Sequence, residues 1–307
     1  MLKDRYINFF TDFGFKKLFG SEPNKDLLID FLNELLKGRE KPIKELTFKK
    51  TEHLGAVEID RKSIFDLYCV SESGEKFIVE LQKAKQKFFK DRSLFYATFP
   101  IQEQAKRGDW DFKLKAVYTI GILDFVFDED LNDDKYIYDI KLTDQETGIV
   151  FHDKLNFIYI EMPKFNKTEE ELETHIDKWL FAIKNLYKFD EIPGKLREKV
   201  FERFFEIAEI AQMNPEERTI YENSLKYYRD MNNVVATAKG EGWEEGLQHG
   251  IQKGLQKGKE EGLAEGEKKK AFEIAKNSIN QELDSETIAT ITGLTISEIE
   301  NLKQNND

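Results

Sequence analysis

Residues 62–85, KSIFDLYCVSESGEKFIVELQKAK, leave the chain few conformational choices. Two arms rich in Ile, Phe, Val, Leu and Tyr flank Ser71-Glu72-Ser73-Gly74, which predicts a β-hairpin. In a three-residue loop Glu72-Ser73-Gly74, Gly74 takes the position where φ must be positive. Counting outward from Ser71 opposite Glu75 sets Asp66 opposite Glu80. Directly opposed residues share a face. Gln82 shares it as well, because strand side chains alternate. The other face carries Phe77, Val79 and Leu81 for a core. The polar face fits the solvent side of a half-buried hairpin. It fits a cation site equally: opposed carboxylates repel unless something positive lies between them, and Mg²⁺ needs only one or two.

The chain of 307 residues is 40% hydrophobic and 13% aromatic, enough for a good-sized core with appendages. The single cysteine, Cys69, excludes a disulfide framework, predicts a small core residue and fits a reducing cytoplasm. Four His and one Cys make no structural zinc site. The N-terminus lacks a signal-peptide apolar region, and no run approaches the roughly 18–20 apolar residues of a membrane span, so no membrane is expected.

The net charge of −12 does not suggest a nucleic-acid binder, but its distribution does. Residues 1–115 hold 23 Lys and Arg against 19 Asp and Glu, a net +4, leaving −16 for the remainder. Lys83, Lys85, Lys87, Lys90 and Arg92 follow Glu80 and are offset locally only by Asp91. Phosphate binding needs such a local patch, not a basic protein. A solvated helix start explains the same run.

The pattern Asp66, then Glu80-Leu81-Gln82, resembles the Asp…Glu-x-Lys signature of the PD-(D/E)XK nuclease superfamily, with Gln where Lys is usual. More closely, the chain resembles the Rpn family of recombination-promoting nucleases and transposases. The resemblance rests on TDFGFKKLF at 11–19, the Asp66 strand, Glu80-Leu81-Gln82, Arg92, Tyr96 and Gln104 on the next helix, and the strand at 116–125. It implies a restriction-endonuclease-like mixed sheet flanked by helices, and a metal-dependent DNA endonuclease linked to recombination, mobile elements or phage defence. Asp66, Glu80 and the Leu81 carbonyl would hold Mg²⁺ or Mn²⁺. Gln82 would orient the attacking water or a phosphate oxygen, since a neutral amide is no base. Lys83, Lys85, Lys87, Arg92 and Gln104 would meet nucleic acid; helix–sheet hydrogen bonding is the other role open to Arg92 and Gln104. An inactivated nuclease fold, kept as an oligomeric DNA-binding or protein-interaction scaffold, is the alternative.

In chain order, residues 9–20 read as a short helix on which Asp12 either approaches the site, as acidic residues on the superfamily's first helix do, or caps the helix. Lys16 either pairs with Asp12 or approaches the site. Residues 24–37 form an amphipathic helix stopped by Gly38. A strand at 43–52 precedes His53, read as loop filler. The helix at 86–107 offers Phe88, Phe89, Leu94, Phe95, Phe99 and Ile101 for packing, with Pro100 kinking or dividing it. Strands at 114–125, 135–142 and 156–162 complete a core at 1–165, and the acidic loop at 124–134 reads as solvated. Helices follow at 166–237.

Glycines at 242, 246, 250, 254, 258, 262 and 266 recur every four residues. Seven glycines cost a helix about 7 kcal/mol relative to alanine, so residues 238–270 are a linker or a helix whose close self-packing offsets that cost. The Glu, Lys and Leu between them favour a homo-oligomerising helix. Residues 271–307 read as a helix–turn–helix-like tail with a Thr295–Glu298 capping box. Its acidic second helix suits packing or dimerisation better than DNA reading.

Overall fold

A computed structural model describes residues 4–49, 65–105, 111–130 and 133–304. His53, the strand residues 50–52, the first hairpin residues 62–64 and the helix residues 106–107 lie outside the described residues. The described strands are β1 (Leu46–Phe48), β2 (Leu67–Ser71), β3 (Lys76–Gln82), β4 (Val117–Leu123), β5 (Ile137–Thr143) and β6 (Val150–Glu161). They form one sheet in the order β1-β2-β3-β4-β6-β5. Strands β1, β2 and β3 are antiparallel, β3, β4 and β6 are parallel, and β5 closes the far edge antiparallel to β6. The parallel step from β3 to β4 requires a crossover, and helix α3 (Phe89–Gln102) supplies it. The centre of the sheet is β4, whose uninterrupted VYTIGIL is buried at every position.

Helices pack on both faces, so the fold is the mixed α/β sheet expected from the sequence. One hydrophobic cluster joins Phe77, Val79, Leu81, Ile120 and Ile158 of the sheet to α1 (Asp12–Phe19), α2 (Lys25–Leu35), α4 (His175–Asn185) and α5 (Lys199–Ala208). Helices α4 and α5 therefore share the core of the sheet. Trp179 of α4 is fully buried, with Phe19, Phe31 and Phe201 around it. On the opposite face, Phe89 and Ala97 of α3 meet Leu123, Phe125, Phe157 and Tyr159.

The packing face of α3 differs from expectation. Phe88, Leu94 and Phe95 are 64%, 52% and 59% exposed. The buried stripe is Phe89, Ser93, Ala97 and Pro100, spaced by four, four and three residues. Small Ser93 and Ala97 let the helix lie close to the sheet, which leaves the larger rings on its flanks. Pro100 does not divide the helix: it sits in the last turn, where one lost backbone bond matters least.

The chain divides into two compact units, residues 1–235 and 236–307. Helix α6 (Pro215–Asn280) begins in the first unit, where its early turns are fastened to the core. The Tyr221 hydroxyl accepts from the Asn8 amide at 2.9 Å, and Ser224 accepts from the Phe13 amide at 3.2 Å. Tyr228 donates to Asp124 at 2.7 Å. In the second unit the glycine ladder is helical. A Cβ at any of its seven glycines would meet nothing within 4 Å. Beside the glycines stand exposed Trp243, Leu247, Ile251, Leu255 and Leu263. The same unit holds α7 (Ser285–Thr292) and α8 (Ile296–Gln304) around Ala275, Ile288, Leu294 and Ile299. Thr295 and Glu298 form the expected reciprocal cap, and Gly293 takes φ +72° between the helices.

Candidate active site

The site grows from the hairpin. Gly74 has φ +96°, and the Ser71 amide donates to the Glu75 carbonyl at 2.9 Å. Val70 pairs with Lys76, Cys69 with Phe77, Tyr68 with Ile78 and Leu67 with Val79. One further step sets Asp66, the residue just before β2, against Glu80. Asp66 is fixed there by the Leu81 amide, which donates to its Oδ2 at 2.8 Å. Lys76 and Gln82 turn their backbone groups toward β4, bonding Ala116 O and Asp124 N. By alternation, Leu81 turns its amide and carbonyl toward the side where Asp66 lies.

This face is not solvent-washed. Beneath α3, Glu80 is only 6% exposed. Burial, reinforced by the charge of Asp66 and partly offset by Arg92, pushes its pKa up to about 7. Asp66 is also raised, chiefly by burial; the Leu81 amide and the charges of Lys16 and Lys83 act against that, and Asp12 adds to it. Burial lowers the Lys83 ammonium, while Asp12 and Asp66 hold it up. Asp12, Lys16, Asp66 and Lys83 thus form one electrostatic group, with Glu80 on its inner side.

The other candidates divide. Thr11, not Asp12, caps α1, its hydroxyl accepting from Gly14. Asp12 instead pairs with Lys16 at 2.9 Å on a half-exposed surface. Gln82 lies beside Glu80 with both amide ends engaged: Nε2 donates to Ala84 O at 2.9 Å and Oε1 accepts from Arg92 at 2.7 Å. Arg92 also stands 3.7 Å from Glu80. Lys83 lies over the ring of Tyr227 at 5.8 Å, and Lys87 over Phe88.

The basic run is less free than Asp91 alone would leave it. Lys85 pairs with Asp128 and Lys90 with Glu129, both from the acidic loop. Gln104 is not brought to the site. Its amide bonds Pro100 O, Lys115 O and Lys115 N, tying the end of α3 to the start of β4, whereas Glu80 lies level with Gly121 further along. Tyr227, whose ring lies against Lys83, and Tyr228, which packs on the sheet face opposite α3 and donates to Asp124, carry no local sequence signal.

The donor set fits a small hard cation. Among the described residues no three His, Cys, Asp or Glu side chains converge on one point. Two opposed carboxylates, one buried and one half-buried, with the Leu81 backbone turned toward Asp66, suit an ion that keeps most of its waters. Divalent ions are what PD-(D/E)XK nucleases in general use.

Without metal, ionising Glu80 works against folding. Its folded pKa lies above the unfolded value, so the stability linked to its proton is present below about pH 4.5 and lost as pH rises through about 7. The full shift corresponds to roughly 3 kcal/mol. Thermal melts in EDTA should therefore show wild-type stability falling between pH 5 and 8 relative to Glu80→Gln. Parallel pH profiles for the two proteins would contradict the burial of this group.

The model of the family described as PD-(D/E)XK nuclease family transposase matches residues 9–238, spanning the sheet, the site and the first turns of α6. No curated protein and no solved structure matches the chain. With Asp66 and Glu80 paired across the hairpin and three-quarters of the sequence matched, the chain belongs to the PD-(D/E)XK nuclease family transposases.

Proposed function

We propose that this chain is a metal-dependent endonuclease that hydrolyses phosphodiester bonds in DNA. The observation that carries the reading is the opposed pair Asp66 and Glu80, with Glu80 buried beneath α3 and Asp66 half-buried and held by the Leu81 amide. The ion we assign to them is Mg²⁺ or Mn²⁺, with the Leu81 carbonyl as a further ligand. When bound, such an ion polarises the phosphodiester and lowers the pKa of an attacking water. Asp66 enters this role already oriented by the Leu81 amide. Glu80 enters it by giving up a proton that burial makes it keep near neutrality. Asp12 and Lys16 flank the pair, and Lys83, Lys85, Lys87 and Arg92 face the DNA backbone. Action in the cytoplasm rests on the single cysteine, and roles in recombination, mobile elements or phage defence rest on the family resemblance.

One observation favours the scaffold reading: neutral Gln82 stands where the superfamily carries a lysine. Plasmid cleavage by purified protein with Mg²⁺, Mn²⁺ or EDTA separates the two. We expect metal-dependent cleavage that falls by at least about 100-fold in Asp66→Ala and in Glu80→Ala, with DNA binding kept. Cleavage surviving both changes, or none under any metal, contradicts the enzyme.

The glycine ladder is proposed as a self-association surface. Its helix leaves an apolar row exposed beside a groove without side chains. Changing Gly246, Gly250, Gly254 and Gly258 to Ala favours an isolated helix by about 4 kcal/mol in total. The same four methyl groups fill the groove. Sedimentation equilibrium should show the assembly weakened despite the better helix former; an unchanged assembly contradicts packing through this stripe.

A further inference from the structure

The nuclease signature calls for a positive charge that Gln82 cannot supply. We infer that Arg92, held in place by Gln82, is the fixed cation of this site and replaces the lysine missing at position 82. The inference rests on the nuclease reading and deepens it.

Five contacts set the guanidinium. One Nη donates to Gln82 Oε1 at 2.7 Å and lies 3.7 Å from Glu80 Oε2. The other Nη donates to Gln86. The guanidinium lies over Phe89 at 5.3 Å and Tyr96 at 5.9 Å. Gln82 is itself oriented, because its Nε2 donates to Ala84 O, which leaves the amide oxygen turned to the arginine. A lysine at position 82 would set two cations against each other here, whereas a neutral acceptor completes the clamp. The Nε of Arg92 is buried and has no acceptor among the described residues, and beyond the N–H groups given to Gln82 and Gln86 the two Nη atoms carry further donors that a phosphate oxygen or a water can meet. Asp66, Glu80, Arg92 and one divalent ion sum to a single positive charge; the Asp12–Lys16 pair leaves that sum unchanged and Lys83 adds to it, so the sign stays opposite to that of a phosphodiester. Arg92 is thereby a charge-balancing residue, and Gln82 positions it.

The test moves the charge. Single-turnover cleavage and Mn²⁺ affinity are measured for wild type, Arg92→Gln, Arg92→Lys and the double variant Gln82→Lys/Arg92→Gln, with melting temperatures as a check on folding. Arg92→Gln should cleave about 100-fold more slowly. It should nevertheless bind Mn²⁺ at least about threefold more tightly, because a cation beside Glu80 has gone. The double variant should recover cleavage to within about tenfold of wild type and return Mn²⁺ affinity to the wild-type value. Arg92→Lys, which keeps the charge, should leave Mn²⁺ affinity near wild type. Cleavage and Mn²⁺ affinity falling together without recovery in the double variant would mean a structural role and overturn the inference. So would Arg92→Gln leaving both unchanged. If wild type binds Mn²⁺ but cuts no DNA, the nuclease reading fails, and the direction of the Mn²⁺ shift still decides whether Arg92 balances the charge.

Discussion

Two carboxylates face each other under a helix, and the structure around them is arranged to keep them there. In water such a pair repels weakly; under α3, screening is poor and each charge is costly. The response is visible in Glu80, which holds its proton toward neutrality, and in Asp66, which takes a backbone amide as compensation. A group so placed gains most from a cation. The register of the hairpin, the crossover over it and the clamp on Arg92 can all be read as consequences of holding this pair.

The charge around the site is balanced locally. The acidic loop after β4 takes up Lys85 and Lys90, so the basic run after Glu80 is partly neutralised before any ligand arrives. What stays near the carboxylates is Lys83, Lys16 and Arg92, three cations from three different elements. A net charge of −12 is compatible with a phosphate-binding centre because the centre depends on these few groups and not on the protein's total.

The hairpin was legible because its signals are local. Gly74 fixes the turn, the turn fixes the register, and the register fixes Asp66 against Glu80. The glycine ladder was legible as a repeat, and its helical state follows from the Glu, Lys and Leu between the glycines. The flank of α3 was not legible, because sequence hydrophobicity nominated Phe88, Leu94 and Phe95 while close packing selected Ser93 and Ala97. Pairings across long separations were also invisible: Tyr228 with Asp124, Lys85 with Asp128, and Gln104 with Lys115. Each depends on how elements meet, which no local pattern encodes. Gln82 is an intermediate case. Its identity stood out against the superfamily's lysine, but its partner became visible only when α3 was laid over β3.

The most direct measurement is calorimetric titration of Mg²⁺ or Mn²⁺ at pH 7 in buffers of different ionisation enthalpy, for wild type and Glu80→Gln. If the opposed pair holds the ion, binding must displace the proton that buried Glu80 keeps with a pKa of about 7. Wild type should then bind one ion and release roughly half a proton per ion. Glu80→Gln should lose most of the affinity and the proton release. Binding of equal strength in both proteins, or no binding in wild type, would contradict a metal centre built on Asp66 and Glu80.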